Sequence, residues 1–186
     1  MAFSRPEHKS TGTWDSTILR DLHNWGVLDY TLVTTKATYR LLTPQDMPIF
    51  LRLVQAERTE RRDAPPFDLS RVLATIKELQ PARGKGTIYV FEREQKLIGY
   101  CMLVGCWSSD QCGNVLVADE LYVVPEMRVD GISEDFLALL LKVAPKGTTS
   151  IRVEVPKGRR STAALEKLGF RESAKSVLSM RVTRKP

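Results

Sequence analysis

Histidine is almost missing from this chain: 186 residues contain two, His8 and His23, both near the N-terminus. That supply argues against a histidine-based catalytic triad and against a zinc site, and no metal ligand set is assigned. Cysteine is equally sparse. Cys101, Cys106 and Cys112 cannot all pair, and their spacing fits neither a CxxC metal site nor a redox pair, so they read as buried or incidental thiols. No apolar run is long enough to span a bilayer, and the start, from Met1 to Lys9, lacks the apolar stretch of a secretory signal. A cytoplasmic location without a membrane partner is therefore expected. No internal repeat is visible. Any chemistry must come from carboxylates, hydroxyls and backbone groups.

What the chain does contain is the ordinary material of one globular domain, with 42% hydrophobic and 27% charged residues. The formal net charge of +6 suits an anionic partner, whether a nucleotide cofactor, an acidic substrate or nucleic acid. Nucleic acid is the least expected of the three, because interleaved aromatics and a recognised binding motif are both lacking.

Residues 1–36 form an N-terminal extension in which Trp14, Ile18, Leu22 and Trp25 fall at helical spacing and Gly26 is placed to end the helix. This amphipathic helix either packs on its own domain or offers a contact to a second copy, a homodimer, or to another partner. Residues 37–186 make up the domain itself. Ala37 to Leu42 reads as a strand, and Thr43-Pro44-Gln45-Asp46 is a capping box that opens a helix running to about Glu57. A charged loop and Pro65-Pro66 follow, then an apolar stripe at Leu69, Val72, Leu73, Ile76 and Leu79. Thr87 to Phe91 and Leu97 to Val104 form a hairpin about a polar turn, and Val115 to Val124 is a strand stopped by Pro125. Ile132, Phe136, Leu139, Leu140 and Val143 mark another helix, Ser150 to Val155 a strand, Ala163 to Leu168 a short helix, and Phe170 to Val182 one or two last strands. The order βααβββαβαβ(β) implies a mixed α/β sheet flanked by helices.

The run from Ala118 to Ser133, with Leu121-Tyr122-Val123-Val124-Pro125-Glu126 at a strand end and then Arg128-Val129-Asp130-Gly131-Ile132-Ser133, resembles the signature of the GNAT superfamily of acyl-CoA-dependent N-acyltransferases. Gly99-Tyr100 and Leu168-Gly169-Phe170 fit the same pattern, and the resemblance covers roughly residues 37–183. It implies a GNAT fold with a mostly antiparallel central sheet, acetyl-CoA as co-substrate, and direct transfer of an acetyl or other acyl group to a primary amine of a small molecule or protein. By the same resemblance, Glu120 is the general base and the backbone of Leu121, Tyr122, Val123 and Val124 meets the pantetheine arm and thioester. Independently of any family, a strand, a glycine turn and a helix N-terminus direct unpaired N–H groups and a positive dipole end toward one point, which suits a pyrophosphate. The cofactor-binding assignment is therefore Arg128, Val129, Asp130, Gly131, Ile132 and Ser133. Glu120 has an alternative as a structural carboxylate paired with an arginine, and on an extended strand only one of Asp119 and Glu120 can face the cleft.

Departures from the pattern are equally specific. Leu165 stands where many members have a tyrosine that protonates the departing thiolate, an asparagine common two turns earlier is absent near Gly158, and Asp130 brings a carboxylate to the phosphate loop. Water or Ser161 could assist the leaving group. Lys157, Arg159 and Arg160 read either as ligands of the CoA ribose phosphate or as solvated loop residues. Arg58, Arg61 and Arg62 are placed in the helix-to-helix loop bordering the acceptor side. A second function is thus open: a GNAT-like module that keeps the fold and acts as a CoA-binding or interaction regulator.

Overall fold

The computed structural model describes residues 31–61, 65–80, 84–155 and 162–173. The N-terminal helix of the sequence reading, Arg62, the run Lys157 to Ser161 and any strand beyond residue 173 lie outside the described residues. One six-stranded sheet organises the rest, with β1 (Leu32–Val33), β2 (Thr38–Leu41), β3 (Gly86–Arg93), β4 (Lys96–Ser108), β5 (Gly113–Val123) and β6 (Thr148–Val153) side by side in sequence order. Every neighbouring pair is antiparallel except β5 and β6, which are parallel. A parallel pair needs a crossover, and α3 (Ile132–Val143) supplies it. The other helices are α1 (Met47–Glu60), α2 (Leu69–Glu78) and α4 (Thr162–Lys167).

Local chemistry explains the boundaries. Asp46 Oδ2 accepts from the backbone N–H of Thr43 at 2.8 Å and from its hydroxyl at 2.7 Å, closing a single 3-10 turn, Pro44–Asp46, that leads into α1. The guanidinium of Arg40 on β2 donates to both oxygens of Asp46, at 2.7 and 2.9 Å, and to Glu92 on β3 at 2.7 Å, fixing the helix start to the sheet. That bonding, led by Arg40, pulls the Asp46 carboxyl down to about 2. The β3–β4 hairpin turns at Glu94 and Gln95, whose φ values of 51° and 62° suit the right-handed twist of the strands.

Helices cover both faces of the sheet. On one face Phe136 of α3 meets Tyr39, Tyr89 and Phe91, with ring centroids 5.3, 5.4 and 4.8 Å away, and Leu165 and Leu168 pack onto the same cluster. On the other, Phe50 and Val54 of α1 and Val72 of α2 pack on Tyr100, Met102 and Tyr122. Leu69 and Leu73, expected in the α2 stripe, are about half exposed at 48% and 45%, because Val72 of α2 and Leu79 just after it are the residues buried against the sheet. Among the described residues strand pairing begins at Leu32, inside the segment assigned to the extension, and the Thr34 hydroxyl donates to Asp135 of α3 at 2.6 Å.

Candidate functional site

A bulge aims the central carboxylate. Met102 on β4 lies opposite Glu120, whereas Leu103 lies opposite Ala118, so Asp119 is an extra residue in β5 without a register partner. Side chains alternate along a strand, and the inserted residue reverses the alternation. Leu116 and Ala118 before the bulge join the α3-side core, while Tyr122 after it joins the α1-side core. Glu120, two residues before Tyr122, therefore faces α1, and Asp119 is left exposed.

Glu120 is nine-tenths buried, its side chain 9% exposed, and both carboxylate oxygens have donors. Arg58 on α1 pairs with Oε1 through Nη2, and the Tyr100 hydroxyl donates to Oε2 at 3.0 Å. Burial, and then the nearby Glu120 charge, push the Tyr100 phenol far above its usual range, so it remains a donor. Arg58 Nε also lies 3.6 Å from Glu57 Oε2, and Arg61 Nη1 lies 3.4 Å from Glu57 Oε1. A cleft between α1, the Pro65 to Asp68 segment, α2 and the β4–β5 pair opens onto Arg58 and Glu120, with Val54, Phe67, Val72 and Met102 on its walls. Arg58 is thus not a loop residue as the sequence suggested. α1 continues past Glu57 to Glu60, held there by the Glu57–Arg61 pair and by the anchoring of Arg58 on the sheet.

Beyond the bulge, β5 has an open edge. Its pairing with β6 runs from Asn114 to Ala118 and closes with the Glu154 N–H on the Ala118 carbonyl at 3.3 Å. No strand among the described residues pairs with Leu121 to Val123 on that side. The Val124 N–H donates to Ile98 on the β4 side at 2.9 Å. Backbone groups alternate between strand edges, so Leu121 and Val123 turn their N–H and C=O groups to the open side. Their side chains pack in the α3-side core, whereas Tyr122 packs toward α1 and donates its hydroxyl to Glu60 at 2.9 Å. Burial, followed by that bond, pushes the Tyr122 phenol up to about 12.

The loop after β5 is a 3-10 helix, Pro125–Asp130, followed by Gly131 at φ 67° and the start of α3. A glycine suits this left-handed backbone, and a Cβ here would also lie 3.1 Å from Lys36 Nζ. The first α-helical bond runs from Asp135 N–H to Gly131 C=O at 3.0 Å, so the N–H groups of Ile132, Ser133 and Glu134 precede it at the helix end. Arg128 turns back toward the strand: Nε donates to the Val123 carbonyl at 2.8 Å, Nη2 donates to Glu60 at 2.6 Å, and the guanidinium lies 5.4 Å from the Tyr122 ring centre. Asp130 is held by Arg93 at 2.6 Å, which neutralises the charge that the sequence made unwelcome. Val129 is 90% exposed, and the Ile132 side chain is wholly in the core, leaving its backbone as the group open to a ligand.

Sequence reasoning missed Tyr100, Glu60, Arg93 and Lys36 at these places. For Tyr100 a signal existed: pairing the two strands in antiparallel register puts Tyr100 and Met102 on the face shared by Glu120 and Tyr122. Leu165 packs on the α3-side core and offers no proton. Among the described residues no group of three or more His, Cys, Asp or Glu side chains could hold a metal ion, and no helix is long and apolar enough to cross a membrane.

Known proteins share this fold. Solved structures of similar fold include a possible acetyltransferase from Clostridium difficile 630, 21% identical, with a TM-score of 0.66 over 78% of this chain and 97% of that one. A ribosomal-protein-alanine N-acetyltransferase from Brucella melitensis biovar Abortus 2308 is 14% identical, with a TM-score of 0.62 over 78% of this chain and 99% of that one. An aminoglycoside antibiotic 6'-N-acetyltransferase from Acinetobacter baumannii is 15% identical, with a TM-score of 0.62 over 79% and 99% respectively. No curated protein matches the sequence. The model of the acetyltransferase (GNAT) family matches residues 49–170, about two thirds of the sequence, and the chain belongs to that family.

Proposed function

We propose that this chain transfers an acetyl group from acetyl-CoA to a primary amine. The observation that carries the reading is the β5 edge at Leu121 and Val123, which pairs with no strand among the described residues and runs from a buried carboxylate to the N-terminus of α3. The donor set suits the co-substrate: the Leu121 N–H and C=O and the Val123 N–H for the amides of an extended pantetheine, the Val123 C=O being held by Arg128, and the first-turn N–H groups of α3 with a glycine turn for a pyrophosphate. Acetyl-CoA supplies the activated thioester. The Val123 N–H lies on the edge where it would donate to the thioester oxygen, a stabilisation that needs no particular side chain. Glu120 takes a proton from the acceptor ammonium once Arg58 yields its place. The transfer forms an amide C–N bond, breaks the thioester C–S bond and releases CoA thiol and one proton.

The complete pairing of Glu120 with Arg58 and Tyr100, together with the apolar Leu165, favours a second reading, a module that binds acetyl-CoA without turnover. One calorimetric titration followed by an amine screen separates them. The transferase reading expects acetyl-CoA binding and acceptor-dependent thiol release. Binding without turnover across amino acids, polyamines and peptide N-termini selects the module, and absence of binding removes both.

A further inference from the structure

We infer that the acceptor is a small zwitterion, an amino acid with an apolar side chain, bound with its ammonium on Glu120 and its carboxylate on Arg58. This deepens the transferase reading and rests on it. The argument is charge balance around a buried ion pair. The cleft is lined by one buried ion pair, Arg58 and Glu120, with side chains 19% and 9% exposed, and beside it on α1 Arg58 and Arg61 both approach Glu57. At the rim Arg71 lies 3.2 Å from Asp68, so that pair is balanced as well. Among the described residues the charges lining the cleft, Arg58, Asp68, Arg71 and Glu120, sum to zero, leaving no surplus negative charge to attract a polycation.

An ammonium that reaches Glu120 competes with Arg58 Nη2 for the same buried carboxylate. With a simple amine this adds one uncompensated positive charge beside a guanidinium that has just lost a partner, and charge buried without a counter-ion is costly. A zwitterion adds none. Its ammonium replaces Arg58 on Glu120, and its carboxylate gives the displaced guanidinium a new partner with the planar, two-pronged geometry that arginine favours. Val54, Phe67, Val72 and Met102 leave apolar wall for the side chain.

The test uses the full chain saturated with CoA, which forms the complex without turnover. Methionine, methioninamide and spermidine are each titrated calorimetrically. A lost charge-assisted hydrogen bond weakens binding by about tenfold or more, so methionine should bind at least about tenfold more tightly than methioninamide, with spermidine weakest. In Arg58→Gln, checked for an unchanged circular-dichroism spectrum, the preference for methionine over methioninamide should fall close to one. Binding of CoA together with equal or tighter binding of methioninamide or spermidine in the wild type, or with no binding of any of the three, overturns the zwitterion inference alone. Failure to bind CoA itself overturns the transferase reading beneath it. The wild-type comparison decides the matter even where Arg58→Gln does not fold.

Discussion

Two clusters of the same composition bridge α1 and β5, each made of one carboxylate, one arginine and one tyrosine, and they differ in what surrounds them. In the first, α1 supplies the cation, Arg58, and the strands supply Glu120 and Tyr100. In the second, α1 supplies the carboxylate, Glu60, while β5 and the following loop supply Tyr122 and Arg128. Side chains of the first ion pair are 9% and 19% exposed; those of the second are 28% and 38% exposed. The first sits at the floor of a cleft, where removing one charge strands the other. The second is a strap near the surface, where water and salt replace a lost partner. Similar bonds therefore carry different consequences, and burial rather than bond length decides which cluster suits chemistry.

The largest effect should come from Arg58→Leu. It leaves the Glu120 carboxylate buried without its cation and should destabilise the protein by about 3–5 kcal/mol in urea unfolding. Replacing both partners with apolar residues of similar size should recover most of that loss. A third cluster, Arg40–Asp46–Glu92, gives an intermediate case readable by pH. Because the folded Asp46 carboxyl lies near 2, below its ordinary 3.8, the folded state holds fewer protons there than the unfolded state. Its stabilisation is complete above about pH 4, is lost as pH falls toward 2, and is on the order of 2 kcal/mol. Asp46→Asn should remove that part of the acid dependence.

Gly131→Val strains the left-handed backbone at the phosphate loop by roughly 1–3 kcal/mol and should weaken acetyl-CoA binding while the fold persists. Equal affinity of the folded variant and the wild type in calorimetry would remove the loop from the binding site. Glu60→Gln should cost least, below about 1 kcal/mol, as expected for an exposed pair. Equal costs for Arg58→Leu and Glu60→Gln would erase the distinction between the two clusters.

Much of this was legible beforehand, for identifiable reasons. Apolar periodicity in the helices and apolar runs in the strands found β2 to β6 and the four α-helices, whereas the two-residue β1 was too short to leave a pattern. The Thr43 capping box and the Pro125 stop marked boundaries through backbone chemistry that one residue determines. The bulge at Asp119 was not legible: nothing in Val-Ala-Asp-Glu-Leu announces an unpaired residue, and the bulge exists only in the register between β4 and β5. With it went the reversal that puts Glu120 on the face opposite Ala118. Arg58 was visible as a charge, and a structural arginine partner for Glu120 was an open alternative. Which arginine, and from which element, depended on α1 extending to Glu60. The Asp130–Arg93 pair joins residues 37 positions apart and needed the sheet to bring them together.

The central claim, that Glu120 is the base of an acetyl transfer, is tested most directly by Glu120→Gln assayed with an accepted amine at saturating acetyl-CoA. The substitution keeps the shape and the hydrogen-bonding reach but cannot take up the proton. Acetyl-CoA affinity should survive, and turnover should fall by about 10²- to 10⁴-fold, the usual range for a lost general base. An unchanged rate in the folded variant would contradict the account and leave the Arg58–Glu120–Tyr100 cluster a structural one.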